Sequence, residues 1–402
     1  MIAGASLAGL RAAEAARREG YDGRITLVGA EPHLPYDRPP LSKTFLTENA
    51  EARFFTTGER LSQELEVELL LGRRAMALDP ATRQVQTDAG SVCYDRLVIA
   101  TGSEPRALPG VRPGKGIWAL RTLDDSAGLR RALKAAGEVV VVGAGFIGAE
   151  IASAARSLGA AVTLVEAATV PLVRAVGAPV GQALARLHER NGTRLICGVQ
   201  VERIAGDERG YTVALSNGER VDADIVVVGI GAVPATRWLR GAGIALDPRD
   251  GGVVCDEYLR TSVPDVYAAG DVARWPNALF DEEMRLENWT NAADQGQRAA
   301  VNALFSERAR RHETVPYFWS DWYDHRIQFA GTPVADEVTF ASGAPDQDRF
   351  VALYRRGARL VGVATLNEPR KIMKYRRHIG GRGGWAEAAR AVAARVEAPV
   401  IS

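Results

Sequence analysis

The sequence predicts an α/β fold with two Rossmann-like dinucleotide-binding domains, followed by a C-terminal α+β domain. Three observations predict it. Two glycine-rich turns, "GASLAG" at 4–9 and "GAGFIG" at 143–148, each lead into an Ala-rich stretch of helical character. Each is followed by a second apolar segment ending in glutamate, "RITLVGAE" at Glu31 and "AVTLVE" at Glu166. Beyond about residue 311 the pattern changes to alternating strands such as "FVALYRRGARLVGVATL".

Composition bounds the remaining possibilities. The chain has 402 residues, 47% of them hydrophobic and 25% charged, enough for two or three domains with their own cores. Net charge is only +1, so no global charge excess points to nucleic acid or a membrane surface. Runs such as Ile225 to Val233 fall short of the 18 or so residues that a spanning helix needs. The opening "MIAGASLAGLRAAEAARR" lacks the basic leader of a signal peptide. Cys93, Cys197 and Cys255 are three in number and without a C-x-x-C, which argues for a reducing, cytoplasmic setting. The five histidines show no metal-ligand spacing.

The second turn is the more complete. Val139 to Val142 read as a strand buried on both faces. Gly143 then allows the tight turn, Gly145 lets the backbone approach a pyrophosphate, and Gly148 lets the helix pack on the strand, with Phe146 and Ile147 in its first turn. Glu166 lies 18 residues beyond Gly148, where a carboxylate accepts bonds from ribose hydroxyls and repels a 2′-phosphate, favouring NAD over NADP. In the first turn Gly4, Ser6 and Gly9 repeat the pattern with a serine in the middle, and Leu7 and Ala8 open the helix. Only Met1 to Ala3 precede it, fewer than the roughly five residues of an ordinary strand, so either the strand is short or the sequence begins within it. Two dinucleotides in one chain have a common chemical reason, hydride transfer between nicotinamide and flavin.

Six stretches then resemble the flavoprotein reductases of the glutathione-reductase superfamily, and closely the oxygenase-coupled NADH:ferredoxin reductases. They are the two turns with "PYDRPPLSK" at 35–43, "LVIATGSEPR" at 97–106, "TSVPDVYAAGDVA" at 261–273 and "ENWTNAADQG" at 287–296. The resemblance implies an FAD domain over 1–111 and 236–310, interrupted by an NAD domain over 112–235, and a domain over 311–402 that covers the flavin. It implies FAD contacts from Glu31, Arg38, Lys43, Ala75, Ala100, Thr101, Gly102, Gly270, Asp271, Trp289 and Trp319, beside the first turn. The helix following Trp289 and Ala292 is expected to aim its N-terminus at the flavin's pyrimidine edge, where it favours negative charge. NAD contacts fall to the second turn, Glu150, Glu166 and Gly231. Lys43 and Glu150 are expected to pair at the hydride site, next to flavin N5 and the nicotinamide.

The same stretches exclude near relatives. The disulfide reductases carry a C-x4-C where Ser42 and Lys43 stand, so electrons are expected to leave for an external carrier. The implied activity is transfer of a hydride from NADH to the flavin and of single electrons to a [2Fe–2S] ferredoxin serving a cytochrome P450 or Rieske oxygenase, by a monomer or homodimer. Between Arg349 and Arg382 ten Lys or Arg face one acid, Glu368, which suits docking of an acidic ferredoxin as well as a solvated face. Trp322 departs from the glutamine more common in the family. A small-molecule reductase of the quinone or monodehydroascorbate type is the alternative enzyme. A redox-responsive binding protein resembling apoptosis-inducing factor is the alternative of another class.

Overall fold

A computed structural model describes residues 1–48 and 50–396, with side chains through 390, so residues 397–402 of the expected domain 311–402 lie outside the described residues. The chain divides into two compact units. The first comprises Met1–Asp37, Ala52–Glu104 and Ala232–Pro316, and the second Arg38–Glu51, Pro105–Gly231 and Tyr317 onward.

The first unit is built on a parallel sheet whose strand order is Val266–Ala268, Leu97–Ile99, Ile2–Ala3, Ile25–Gly29, Val67–Leu71. The opening strand has two residues, yet it is central: Ile2 lies opposite Leu27 on one side and Val98 on the other. Burial on both faces lets so short a strand persist, because its neighbours supply the ladder that its length does not. From it the chain runs to one side of the sheet and returns on the other, so the first glycine turn sits where the strand order reverses, the place where such sheets bind ligands. Its helix, Leu7–Arg18, packs on Trp289–Leu304 through small residues. A Cβ on Gly296 would stand 2.2 Å from the Ala8 carbonyl oxygen, so no larger residue permits this approach.

The second unit contains the same arrangement, in the order Arg194–Cys197, Ala161–Glu166, Glu138–Val142, Ile225–Val228, Ile117–Trp118, all parallel. The valine run divides as the pleat requires. Val139 and Val141 join one apolar cluster with Ile151 and Leu164, while Val140 and Val142 join another with Tyr211 and Val226. Also in this unit is a five-stranded antiparallel sheet ordered Tyr317–Trp322, His325–Gly331, Arg359–Leu366, Phe350–Arg356, Glu337–Ser342, followed by helices Pro369–Gly380 and Trp385–Val396. Among the described residues no helix is long and apolar enough to cross a membrane, and no cluster of His, Cys, Asp or Glu suits a metal ion.

Candidate active site

In the first turn Gly4 has a φ of +125°, and a Cβ there would lie 2.0 Å from the Ala100 carbonyl oxygen. A Cβ on Gly9 would come within 1.8 Å of the Gly4 carbonyl oxygen, so helix and turn touch backbone to backbone. Ser6 is the helix N-cap but makes no side-chain capping bond. The leading N–H groups of Leu7, Ala8 and Gly9 therefore keep the dipole and donors that suit a pyrophosphate, and the serine fits where the pattern has glycine. Glu31 lies just past its strand, and the Tyr36 hydroxyl donates to it at 2.5 Å. The Ala100–Gly102 turn is tied to the returning chain: Thr101 Oγ1 donates to the Ala235 carbonyl at 2.9 Å, and the Ala235 N–H donates to the Gly102 carbonyl at 2.9 Å. Ala75 is half-buried at the start of strand Ala75–Asp79.

Gly270, with φ +80°, turns the chain into Asp271 and donates its N–H to Gln295 Oε1 at 2.8 Å. The Asp271 carboxylate accepts from Ser103 Oγ at 2.8 Å, and its carbonyl accepts from Arg285 Nη1 at 2.9 Å. Arg285 is itself anchored on Asp250 at 2.6 Å, so charged partners stiffen this turn from behind. The nearby helix starts at Trp289 rather than after Ala292, which is buried in its first turn. Trp289 Nε1 donates to Asp37 Oδ1 at 3.0 Å. The buried amide nitrogens of Asn291 and Gln295 have no hydrogen-bond partner among the described residues, and such donors fit a ligand with acceptor oxygens.

The second turn repeats the first in its glycine conformation, its close helix approach and its uncapped helix start. Gly143 has φ +99°, and a Cβ on Gly148 would lie 1.9 Å from its carbonyl oxygen. Gly145 is the N-cap of helix Phe146–Ser157, again with no side-chain cap, and the nearest atom to a Cβ there is 4.0 Å away. That open space at an uncapped helix start fits a second pyrophosphate. Glu166, the last residue of its strand, accepts the Ala144 N–H at 2.6 Å and the Ala168 N–H at 2.8 Å. Gly231, with φ +100°, is exposed, and its carbonyl accepts from the Arg106 N–H at 2.9 Å.

Also in the second unit, Lys43 Nζ lies 2.8 Å from Glu150 Oε1, with side-chain exposures of 16% and 3%. Two hydroxyls complete the carboxylate: Ser42 donates to Oε2 at 2.5 Å, and Ser320 donates to Oε1. A buried ion pair costs desolvation unless its remaining lone pairs are satisfied, and these serines satisfy them. Local sequence explains the arrangement. Pro39 and Pro40 set the short 3-10 turn Pro39–Ser42, which presents Ser42 and Lys43, while Glu150 falls on the inward face one turn into its helix. Arg38 donates to the Arg121 carbonyl at 2.7 Å, and the Arg326 guanidinium stands 5.5 Å over the Trp319 ring. Ser42, Ser320 and Arg285 were missed by sequence reasoning. The signal available for the serines was their position inside the motifs "PYDRPPLSK" and W-S-D.

Among known proteins, the model of the pyridine nucleotide-disulphide oxidoreductases matches residues 1–296, and a reductase C-terminal model matches 317–397. Rhodocoxin reductase of Rhodococcus erythropolis is 35% identical over 94% of this chain and 88% of its own length. The ferredoxin–NAD(+) reductase component of the biphenyl dioxygenase system of Paraburkholderia xenovorans is 38% identical over 95% and 93%. The covalent putidaredoxin reductase–putidaredoxin complex is similar in structure, with a TM-score of 0.90, 32% identity, and coverage of 99% of this chain and 98% of that one.

Proposed function

The chain belongs to the pyridine nucleotide-disulphide oxidoreductase family and is an FAD- and NADH-dependent oxidoreductase, and from that premise we propose that it is a ferredoxin reductase of an oxygenase system. The observation that carries this reading is the Lys43–Glu150 pair, standing with Ser42 where a disulfide reductase would need thiols. The three cysteines are free. Cys93 ends strand Gly90–Cys93 and Cys197 ends Arg194–Cys197, while Cys255 is buried after Val253–Val254. Burial pushes the Cys197 thiol up to about 11 and raises that of Cys255 further, the reverse of what a redox thiol requires. On this reading electrons pass to an external acceptor.

Bound FAD supplies the step from a two-electron donor to one-electron acceptors. In this proposal the first turn, Glu31, Asp271 and the Trp289 helix hold it, and the second turn with Glu166 holds NADH. Lys43 and Glu150 orient the reacting groups; hydride transfer needs positioning more than an acid or base. Residues 1–111 and 236–310 serve FAD and 112–235 serve NADH, in a cytoplasmic enzyme whose thiols stay reduced.

We assign the partner's face to helix Pro369–Gly380. Ile372, Tyr375 and Ile379 are buried, leaving Arg370, Met373, Lys374 and Arg377 exposed on the opposite side. Part of the basic segment is neutralised, since Lys371 pairs with Glu368 and Arg355 with Glu337, each at 2.8 Å. The exposed trio is left to attract an acidic [2Fe–2S] protein, and Met373 offers apolar contact. The test is anaerobic reduction by NADH, followed by cytochrome c reduction with and without an added ferredoxin. Turnover that depends on the ferredoxin, and weakens about tenfold in KM when Arg370 and Lys374 become Glu, is expected. Equal turnover with a quinone and no ferredoxin would overturn the reading.

A further inference from the structure

Ser320 and Trp322 are two residues apart on strand Tyr317–Trp322 and so point to the same face, and both are 0% exposed. An indole N–H can only donate, and that of Trp322 donates to Ser320 Oγ at 2.8 Å. A serine oxygen that accepts this bond keeps one hydrogen to give, and it gives it to Glu150 Oε1, the oxygen that also meets Lys43. The direction of the chain is therefore fixed from Trp322 through Ser320 to Glu150.

The tryptophan is itself immobilised. Its ring lies 4.9 Å from that of His188, which is fully buried. The next residue, Tyr323, donates its N–H to Ser153 Oγ at 2.8 Å, on the helix that carries Glu150. The Tyr323 hydroxyl meets His188 Nδ1 and Thr193 Oγ1, each at 2.8 Å. A rigid donor at the start of a hydrogen-bond chain sets the rotamer of each later member, because a misdirected hydroxyl would leave a buried acceptor unmade.

We propose that Trp322 is a positioning residue for hydride transfer, acting through the Ser320 hydroxyl to hold Glu150 and, with it, Lys43. The inference rests on the reading of Lys43 and Glu150 as the hydride-site pair, and the experiment separates the two. Holoenzymes carrying Trp322→Phe, Ser320→Ala, Ser320→Thr, both Trp322→Phe and Ser320→Ala, or Lys43→Met are reduced with NADH in an anaerobic stopped-flow instrument. Trp322→Phe keeps the ring and removes the donor. It should lower the limiting reduction rate by about five- to tenfold, with little change in the Kd for NADH. Ser320→Ala should cost about the same and the double variant no more, since a shared chain is lost once. Ser320→Thr, which restores a hydroxyl without opening a cavity, should recover most of the rate.

The indole 15N–1H signal that vanishes in Trp322→Phe should also move in Ser320→Ala, which reports the bond without turnover. An unmoved signal, a Trp322→Phe rate equal to the parent's, or losses that multiply would overturn the inference. Should Trp322→Phe not fold, the Ala and Thr variants of Ser320 decide alone, and a Thr variant as slow as the Ala variant would overturn it. Parent-like reduction in Lys43→Met would instead remove the hydride-site reading itself.

Discussion

The two glycine turns share their backbone and differ in what surrounds it. Both place a positive-φ glycine after a central strand, and both bring a helical glycine to within a Cβ's width of that residue's carbonyl oxygen. Around the first turn, however, Leu7 and Ala8 are each 7% exposed, whereas Ile147 at the equivalent stage of the second is 41% exposed. A dinucleotide that stays bound can be closed in by the fold; one that arrives and leaves must find its helix start open to solvent. The acids differ likewise. Glu31 is held by the Tyr36 hydroxyl, while Glu166 is bonded to the Ala144 N–H within its own glycine turn. Reading the first turn as the FAD site and the second as the NADH site gives this difference a function.

The two turns should diverge most sharply when their helical glycines are substituted. Gly9→Ala forces a methyl to 1.8 Å from a carbonyl oxygen, an overlap costing about 3 kcal/mol or more, and the protein should purify without yellow colour, read as the flavin-to-protein absorbance ratio. Gly148→Ala imposes the same overlap at 1.9 Å on the other turn. It should keep its colour while anaerobic reduction by NADH slows by roughly 100-fold, because the pyrophosphate no longer seats. Equal flavin loss in both variants would contradict the division of labour.

A smaller effect should separate the two acids. On the proposed NADH assignment, Glu166→Ala removes the carboxylate that disfavours a 2′-phosphate, and the NADH:NADPH preference should fall about tenfold in kcat/KM. Glu31→Ala should leave that preference unchanged. A shift in the second variant, or none in the first, would reassign the sites.

The smallest expected effect concerns buried histidines, one in each unit. Burial lowers the pKa of His188 to about 3 and that of His312 to about 4, from an ordinary 6.5. Since the folded values lie below the unfolded one, the unfolded chain takes up protons first as pH falls. The stability these neutral rings contribute is complete above about pH 6.5 and is lost progressively toward pH 4. The urea midpoint should decline across that window, and less steeply in His188→Gln. A midpoint flat from pH 7 to 4 would contradict the assignment.

Much of the fold was legible because its signals are local. A four-valine run, glycines at fixed spacing and a terminal glutamate each express a backbone requirement that no distant residue alters. The central two-residue strand was at the edge of legibility, for a strand's persistence depends on neighbours that the sequence does not place beside it. The Lys43–Glu150 pair entered through resemblance, and nothing local joins residues so far apart in the chain. Ser42 and Ser320 were illegible as carboxylate partners for the same reason, and a serine's hydroxyl direction depends on what else bonds it. The basic segment was legible as a charge count but not as a face, since only the packing of Ile372, Tyr375 and Ile379 shows which cations remain outward.

Residue type and short spacing are enough to specify two glycine-rich turns leading into helices, their order in the chain and the lack of a paired thiol. Only the tertiary structure decided that Trp322, Ser320, Lys43 and Ser42 converge around one buried carboxylate. That outcome follows from strand direction, side-chain parity and the obligation of every buried donor and acceptor to find a partner.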